Sequence, residues 1–138
     1  MSAEKNLRVT QDMYAAFGRG DIGFVLEQID DACDGFCVVS ATKTAVPWHL
    51  DPGTKGKAGA VRYFEALASC VDHKLFEQRD FAAMGDHVYA TVRLVQLVRA
   101  TGKTLEQPEA VHHWTFKDGK VIRCRVLEDT AATSATFA

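Results

Sequence analysis

The chain is 138 residues long, 47% hydrophobic and 25% charged, with a net charge of -2, a size and composition that describe one globular domain, residues 1–138, with its own core. Its Lys and Arg are scattered, so no phosphate-tracking stripe forms and nucleic acid is excluded as a partner. No run of about eighteen apolar residues and no basic-then-apolar leader occurs, so no membrane partner and a cytoplasmic location are expected. Cys33, Cys37, Cys70 and Cys124 are too few and too irregular for a disulfide framework or a metal or redox pair, and four reduced thiols are expected.

In chain order, Leu7, Val9, Met13, Tyr14 and Phe17 recur at roughly helical spacing from about Glu4, and Gly18-Arg19-Gly20 ends that helix. Asp21 offers an N-cap for a second, short helix through Ile22, Phe24, Val25, Leu26 and Ile29. Phe36 to Val39 and Ala45 to Trp48 read as short strands, followed by an Asp51-Pro52-Gly53 turn. A third amphipathic helix runs from Lys57 to about Val71, carried by Val61, Phe64, Leu67, Ala68 and Val71.

The period then changes to that of a sheet. Strands are predicted at about Phe76 to Ala83, His87 to Arg99, Thr104 to Phe116 and Val121 to Glu128, with turns at Gly85-Asp86, Thr101-Gly102-Lys103 and Asp118-Gly119. The tail from Ala131 to Ala138 reads as loose. Helices followed by hairpin-linked strands describe an α+β fold, a curved antiparallel or mixed sheet covered on one face by three N-terminal helices. Alternation puts His112, Trp114 and Phe116 on one face of the last hairpin, and a histidine beside two aromatics faces a core or a cavity. A two-residue turn pairs Lys117 with Lys120 and His112 with Arg125, placing Arg123, Arg125, Leu127 and Asp129 on the face of His112; a bulge would swap in Cys124, Val126 and Glu128.

Tyr14-Ala15-Ala16-Phe17 before Gly20-Asp21, Trp48-His49-Leu50-Asp51-Pro52-Gly53 before Gly56, Gly85-Asp86-His87-Val88 and the closing segment from His112 to Thr130 follow one another in a telling order. Together they resemble the nuclear transport factor 2-like, or SnoaL-like, superfamily, which includes ketosteroid isomerase, polyketide cyclases and limonene epoxide hydrolase. The resemblance implies a cone whose interior is a ligand pocket, no cofactor, and a homodimer paired through the outer face of the sheet. It places His112 where ketosteroid isomerases hold a protonated aspartic acid and SnoaL-like cyclases a pocket histidine. The cyclases' aspartate falls near Val126, with Asp129 three places on. The isomerase tyrosine falls at about Met13, with Tyr14 expected on another face, and the isomerase base is matched loosely by Asp51.

Pairing Ala100 with Thr104 gives an inward set that includes Leu94, Gln96, His112, Trp114, Arg125, Leu127 and Asp129, roofed by Met13, Phe17, Trp48 and Phe64. A few polar groups converging in an apolar cavity suit a hydrophobic small molecule. His112, Asp129 and Asp51 are the candidate catalytic residues: an aspartate would take a proton next to a carbonyl while His112, helped by Gln96, donates to the developing oxyanion. The expected activity is a cofactor-independent isomerase, cyclase or lyase acting on a steroid-like or polyketide-like ketone; a non-catalytic ligand-binding or interaction module is the alternative. Plainer roles stay open: His112 as a satisfied core residue, Arg125 and Asp129 as a rim ion pair, Asp51 as a turn former. No metal site is expected, because His112 and His113 diverge on a strand, and His49, His73 and His87 read as surface or loop residues.

Overall fold

The computed structural model describes residues 2–36, 38–39, 46 and 55–138. Helix α1 spans Ala3–Gly18, α2 Ile22–Glu27 and α3 Gly56–Cys70. The strands are β1 Val38–Val39, β2 Val71–Met84, β3 His87–Val98, β4 Thr104–Lys117 and β5 Lys120–Leu127, and α4 spans Thr130–Thr136. The predicted strand from Ala45 to Trp48 lies outside the described residues apart from Val46.

Capping explains both early helices: Ser2 accepts a hydrogen bond from the Lys5 amide (3.2 Å), and Asp21 accepts one from the Phe24 amide (3.1 Å). Along α1 the buried positions Asn6, Thr10, Met13 and Tyr14 form one stripe, three or four residues apart. The order across the sheet is β1-β5-β4-β3-β2, antiparallel throughout except that β1 runs parallel to β5. The concave face packs under the helices, where Met13, Ala16, Val25 and Ile29 meet Val88, Ala90, Val92 and Leu94 in one core. Each large side chain so buried stabilises by about 1.5–3 kcal/mol.

The closing turn is as predicted. Asp118 (φ 50°) and Gly119 (φ 79°) both take the positive φ of a type I′ hairpin, and Lys117 pairs with Lys120. One step later the ladder departs from expectation: Phe116 pairs with Val121 but Thr115 with Arg123, so Ile122 is an extra residue. That bulge makes Val126, not Arg125, the partner of His112. It coincides with an outside segment hydrogen-bonding along β5, through Asp30 N to Val121 O (2.9 Å), Asp34 N to Ile122 O (3.0 Å) and Cys124 N to Gly35 O (2.8 Å). These bonds need β5 backbone groups on its far edge, a demand absent from the hairpin's own residues.

Three further expectations are corrected. The strand after α3 begins at Val71 without a break, because α3 runs straight into a strand whose first residues pair with Val98 and Leu97. Thr104 pairs with Leu97 rather than Ala100, since Val98 N to Lys103 O and Gly102 N to Val98 O close a wider turn. The tail is not loose: Asp129 caps α4 by accepting from the Ala132 amide (3.0 Å), and buried Gln107 bonds Asp129 O (2.7 Å), Asp129 N (3.1 Å) and Thr133 Oγ1 (2.9 Å). The fourth helix thus hangs on a glutamine about twenty residues upstream, which local composition cannot reveal.

Asn6 is fully buried, and among the described residues neither its Nδ2 nor its Oδ1 has a hydrogen-bond partner. An unsatisfied buried amide costs about 1–3 kcal/mol, so Asn6→Leu is expected to raise stability by about 1 kcal/mol once the larger side chain has been accommodated. Urea denaturation of the two proteins measures this directly, and a less stable variant would mean that the amide is satisfied in solution.

Candidate functional site

Between the helices and the concave face of the sheet lies a cavity of about 70 Å³. Helix α1 supplies Met13, Tyr14 and Phe17, α3 supplies Tyr63, Phe64 and Leu67, and the sheet supplies His73, Phe76, Leu94, Gln96, Leu105, His112, Trp114 and Val126; Glu128 completes the wall just past β5. Aromatic rings dominate it: Phe17 lies 5.3 Å from Phe76 and 5.9 Å from Phe64, and Phe36 lies 5.4 Å from Phe64 and 5.9 Å from Trp114. Such spacings suit offset or edge-to-face contacts.

Besides Glu128, two hydrogen-bonded polar groupings stand in this wall. In the first, the Tyr14 hydroxyl is 2.7 Å from His112 Nδ1 and accepts a hydrogen bond from Trp114 Nε1 (3.0 Å). The Tyr14 and His112 rings stack at 5.8 Å, and Trp114 meets Tyr14 edge-on at 5.9 Å. His112 is 8% exposed, and burial alone pushes its pKa from 6.5 to about 4, so at neutral pH it is an uncharged imidazole. In the second, Gln96 Nε2 lies 3.0 Å from His73 Nε2. His73 is exposed along one edge, while its ring packs edge-on against Phe17 (5.5 Å) and Phe76 (5.8 Å). Partial burial lowers its pKa, and the charge of Asp72 opposes that shift.

Of the residues singled out from sequence, Met13, Phe17, Phe64, Leu94, Gln96, His112 and Trp114 meet in this wall. Arg125 and Leu127 do not: the Ile122 bulge turns both outward, leaving Leu127 50% exposed. Asp129 is not in the wall either, because its carboxylate caps α4, and Val126 and Glu128 take the inward places. Trp48 and Asp51 lie outside the described residues. Tyr14 and His73 were missed. The signal for Tyr14 was present, since residues 10, 13, 14 and 17 form an i, i+3, i+4, i+7 stripe in which Met13 and Tyr14 share a face. For His73 no local signal existed, because β2 begins earlier than its apolar alternation suggests. His87 is a strand residue of the outer face, 2.9 Å from His113 through ring nitrogens. Among the described residues no cluster of three His, Cys, Asp or Glu side chains could hold a metal ion, and Cys70 is a free thiol. No helix among them is long and apolar enough to cross a membrane.

An antiparallel sheet with helices over its concave face, and a cavity of aromatic wall with few polar groups, defines an α+β cone of the nuclear transport factor 2-like kind. Residues 10–124 match the SnoaL-like domain, and the chain belongs to that family. A nuclear transport factor 2-like protein from Burkholderia xenovorans LB400 is 23% identical and superposes with a TM-score of 0.85, covering 100% of this chain and 99% of that one. A second, from Burkholderia thailandensis E264, is 21% identical with a TM-score of 0.79, covering 100% and 99%. TerC, crystallised with polyporic acid, is 24% identical with a TM-score of 0.74, covering 96% and 97%. At such identities these likenesses establish the fold. No curated protein matches the chain.

Proposed function

We propose that the cone binds a small, mostly apolar carbonyl compound and catalyses a cofactor-independent proton transfer on it, as an isomerase, cyclase or lyase would. The observation that carries this reading is the Trp114–Tyr14–His112 chain in a largely aromatic wall. With Trp114 donating to its oxygen, Tyr14 donates a hydrogen bond to His112 Nδ1, and the neutral imidazole keeps a proton on Nε2 for a carbonyl oxygen. The substrate's C–H next to the carbonyl loses its proton to the carboxylate of Glu128, and the electron pair moves onto the oxygen held by His112. The proton then returns at another carbon, so nothing is oxidised or reduced. Asp51, on the Asp-Pro pair of the family resemblance, is the second candidate for the acceptor role.

The cavity volume of about 70 Å³ is well below the roughly 300–1,000 Å³ of sites that enclose drug-sized ligands. A single-ring or short unsaturated ketone therefore suits it better than a four-ring steroid. TerC, co-crystallised with polyporic acid, supports small-molecule binding in this fold. Pairing of two copies through the outer face belongs to the same reading, where Tyr89 and Leu127 are exposed. The second reading is binding without turnover, favoured by Val126, whose apolar side chain stands where the cyclase resemblance expects an aspartate.

Thermal melting against enolisable aryl ketones, steroids, anthraquinones and terpene epoxides identifies the ligand class, since a ligand of the folded state raises the melting temperature. Solvent-deuterium uptake at the α-carbon of the stabilising ketones then reads turnover. His112→Phe and Glu128→Gln are each expected to slow uptake at least ten-fold. Stabilisation without catalysed uptake favours the binding-only reading, and no stabilisation by any class rejects both.

A further inference from the structure

We infer that the cavity has a second polar pole, made by Gln96 with His73, and that its ligand is a flat molecule carrying a hydroxyl group there as well as the carbonyl held by His112. The inference rests on the proposed reading of the Tyr14–His112 pair. Gln96 is 4% exposed and lies in the cavity wall, yet its amide makes one side-chain hydrogen bond, from Nε2 to His73 Nε2 at 3.0 Å. Its carbonyl oxygen has no hydrogen-bond partner among the described residues and is not among the buried polar atoms sealed from solvent. The oxygen therefore opens to the cavity, where water or a donor on a ligand completes it. The complement of a carbonyl oxygen is a donor, and a ligand hydroxyl supplies one.

The two poles are far apart along the chain and the sheet. His112 pairs with Ala90 of β3 and His73 with Gln96, and six residues of flat strand would separate those rows by about 20 Å. The ladder slips between Val92 and Leu94 and between His73 and Leu75, and such bulges bend a sheet. One phenyl ring, Phe76, consequently packs on both imidazoles, 5.8 Å from His73 and 6.3 Å from His112. Phe76 thus lies between the two poles, and a substituted ring stacked on it is the ligand shape that reaches both in a cavity of about 70 Å³.

The test is calorimetric binding of acetophenone, 4-fluoroacetophenone and 4-hydroxyacetophenone to the wild-type protein and to Gln96→Leu and His112→Phe. Fluorine matches the hydroxyl closely in size but donates nothing. In wild type the hydroxyl compound should bind at least ten-fold more tightly than the other two. Gln96→Leu should abolish that advantage while acetophenone still binds, and His112→Phe should weaken all three together. Equal affinity for the fluoro and hydroxy compounds in wild type overturns the second pole whatever the variants do, as does an advantage that survives Gln96→Leu. Binding of none of the three overturns the carbonyl-pocket reading itself, and the second pole falls with it.

Discussion

Lowering the pH from 7 to 4 should cost the protein about 3 kcal/mol of stability through His112 alone. Its imidazole is buried with no acidic partner among the described residues, and burial lowers its pKa from 6.5 to about 4. Below pH 6.5 the unfolded chain takes up a proton that the folded protein refuses until about pH 4. The stabilisation is thus fully present above 6.5 and is lost as the pH falls through that window. His73 and His113 have pKa values lowered chiefly by burial, and Asp34 has one lowered chiefly by its hydrogen bond to Arg123. All three add loss in the same direction, so the wild-type slope is not that of His112. The comparison that isolates it is urea unfolding at pH 7 and pH 4 for wild type and His112→Phe. The variant should start lower, because Tyr14 loses its 2.7 Å partner, and should lose about 3 kcal/mol less on acidification. Equal losses would mean that His112 is protonated in the folded protein.

Gly56→Ala should destabilise by roughly 2–4 kcal/mol. Gly56 opens α3 at φ +68°, a left-handed conformation in which an added Cβ would sit 2.9 Å from the Asp31 carbonyl oxygen. That carbonyl cannot easily move aside. The same stretch is held by Gly56 N to Cys33 O (2.7 Å) and Cys33 N to Asp30 O (2.9 Å). A shift of α3 would also displace Phe64 and Leu67 from the cavity wall, so ligand affinity should fall with stability. Gly18→Ala is the control: Gly18 ends α1 with nothing within 4 Å of a built Cβ, and alanine there should be neutral or stabilising by about 0.5–1 kcal/mol. Thermal or urea denaturation of both variants decides the matter, and equal effects would remove the steric argument at Gly56.

Most of the scaffold was legible from local chemistry. Ser2 and Asp21 cap helices where such residues do, and Asp118-Gly119 makes the hairpin that its φ freedom predicts. His112, Trp114, Leu94 and Gln96 reached the cavity because strand alternation is a short-range rule that sterics enforce at every residue. Tyr14 could have been read from the helical stripe; it was displaced by a one-residue match to a family position.

The remainder depended on partners distant in sequence. Ile122 bulges where the segment from Asp30 to Gly35 bonds along β5, and with a period of two that one extra residue reverses every later side chain. Val126 and Glu128 face the cavity for that reason, while Arg125 and Leu127 face out. Asp129 is drawn into α4, a helix whose place is set by Gln107. The pKa of His112 follows from burial under helices that close over it, and Gln96 meets both His73 and the cavity because the bent sheet brings it there. Periodicity and capping act within a few residues, so the chain carries them openly; register, bulges and desolvation are settled by long-range pairing, which no local pattern records.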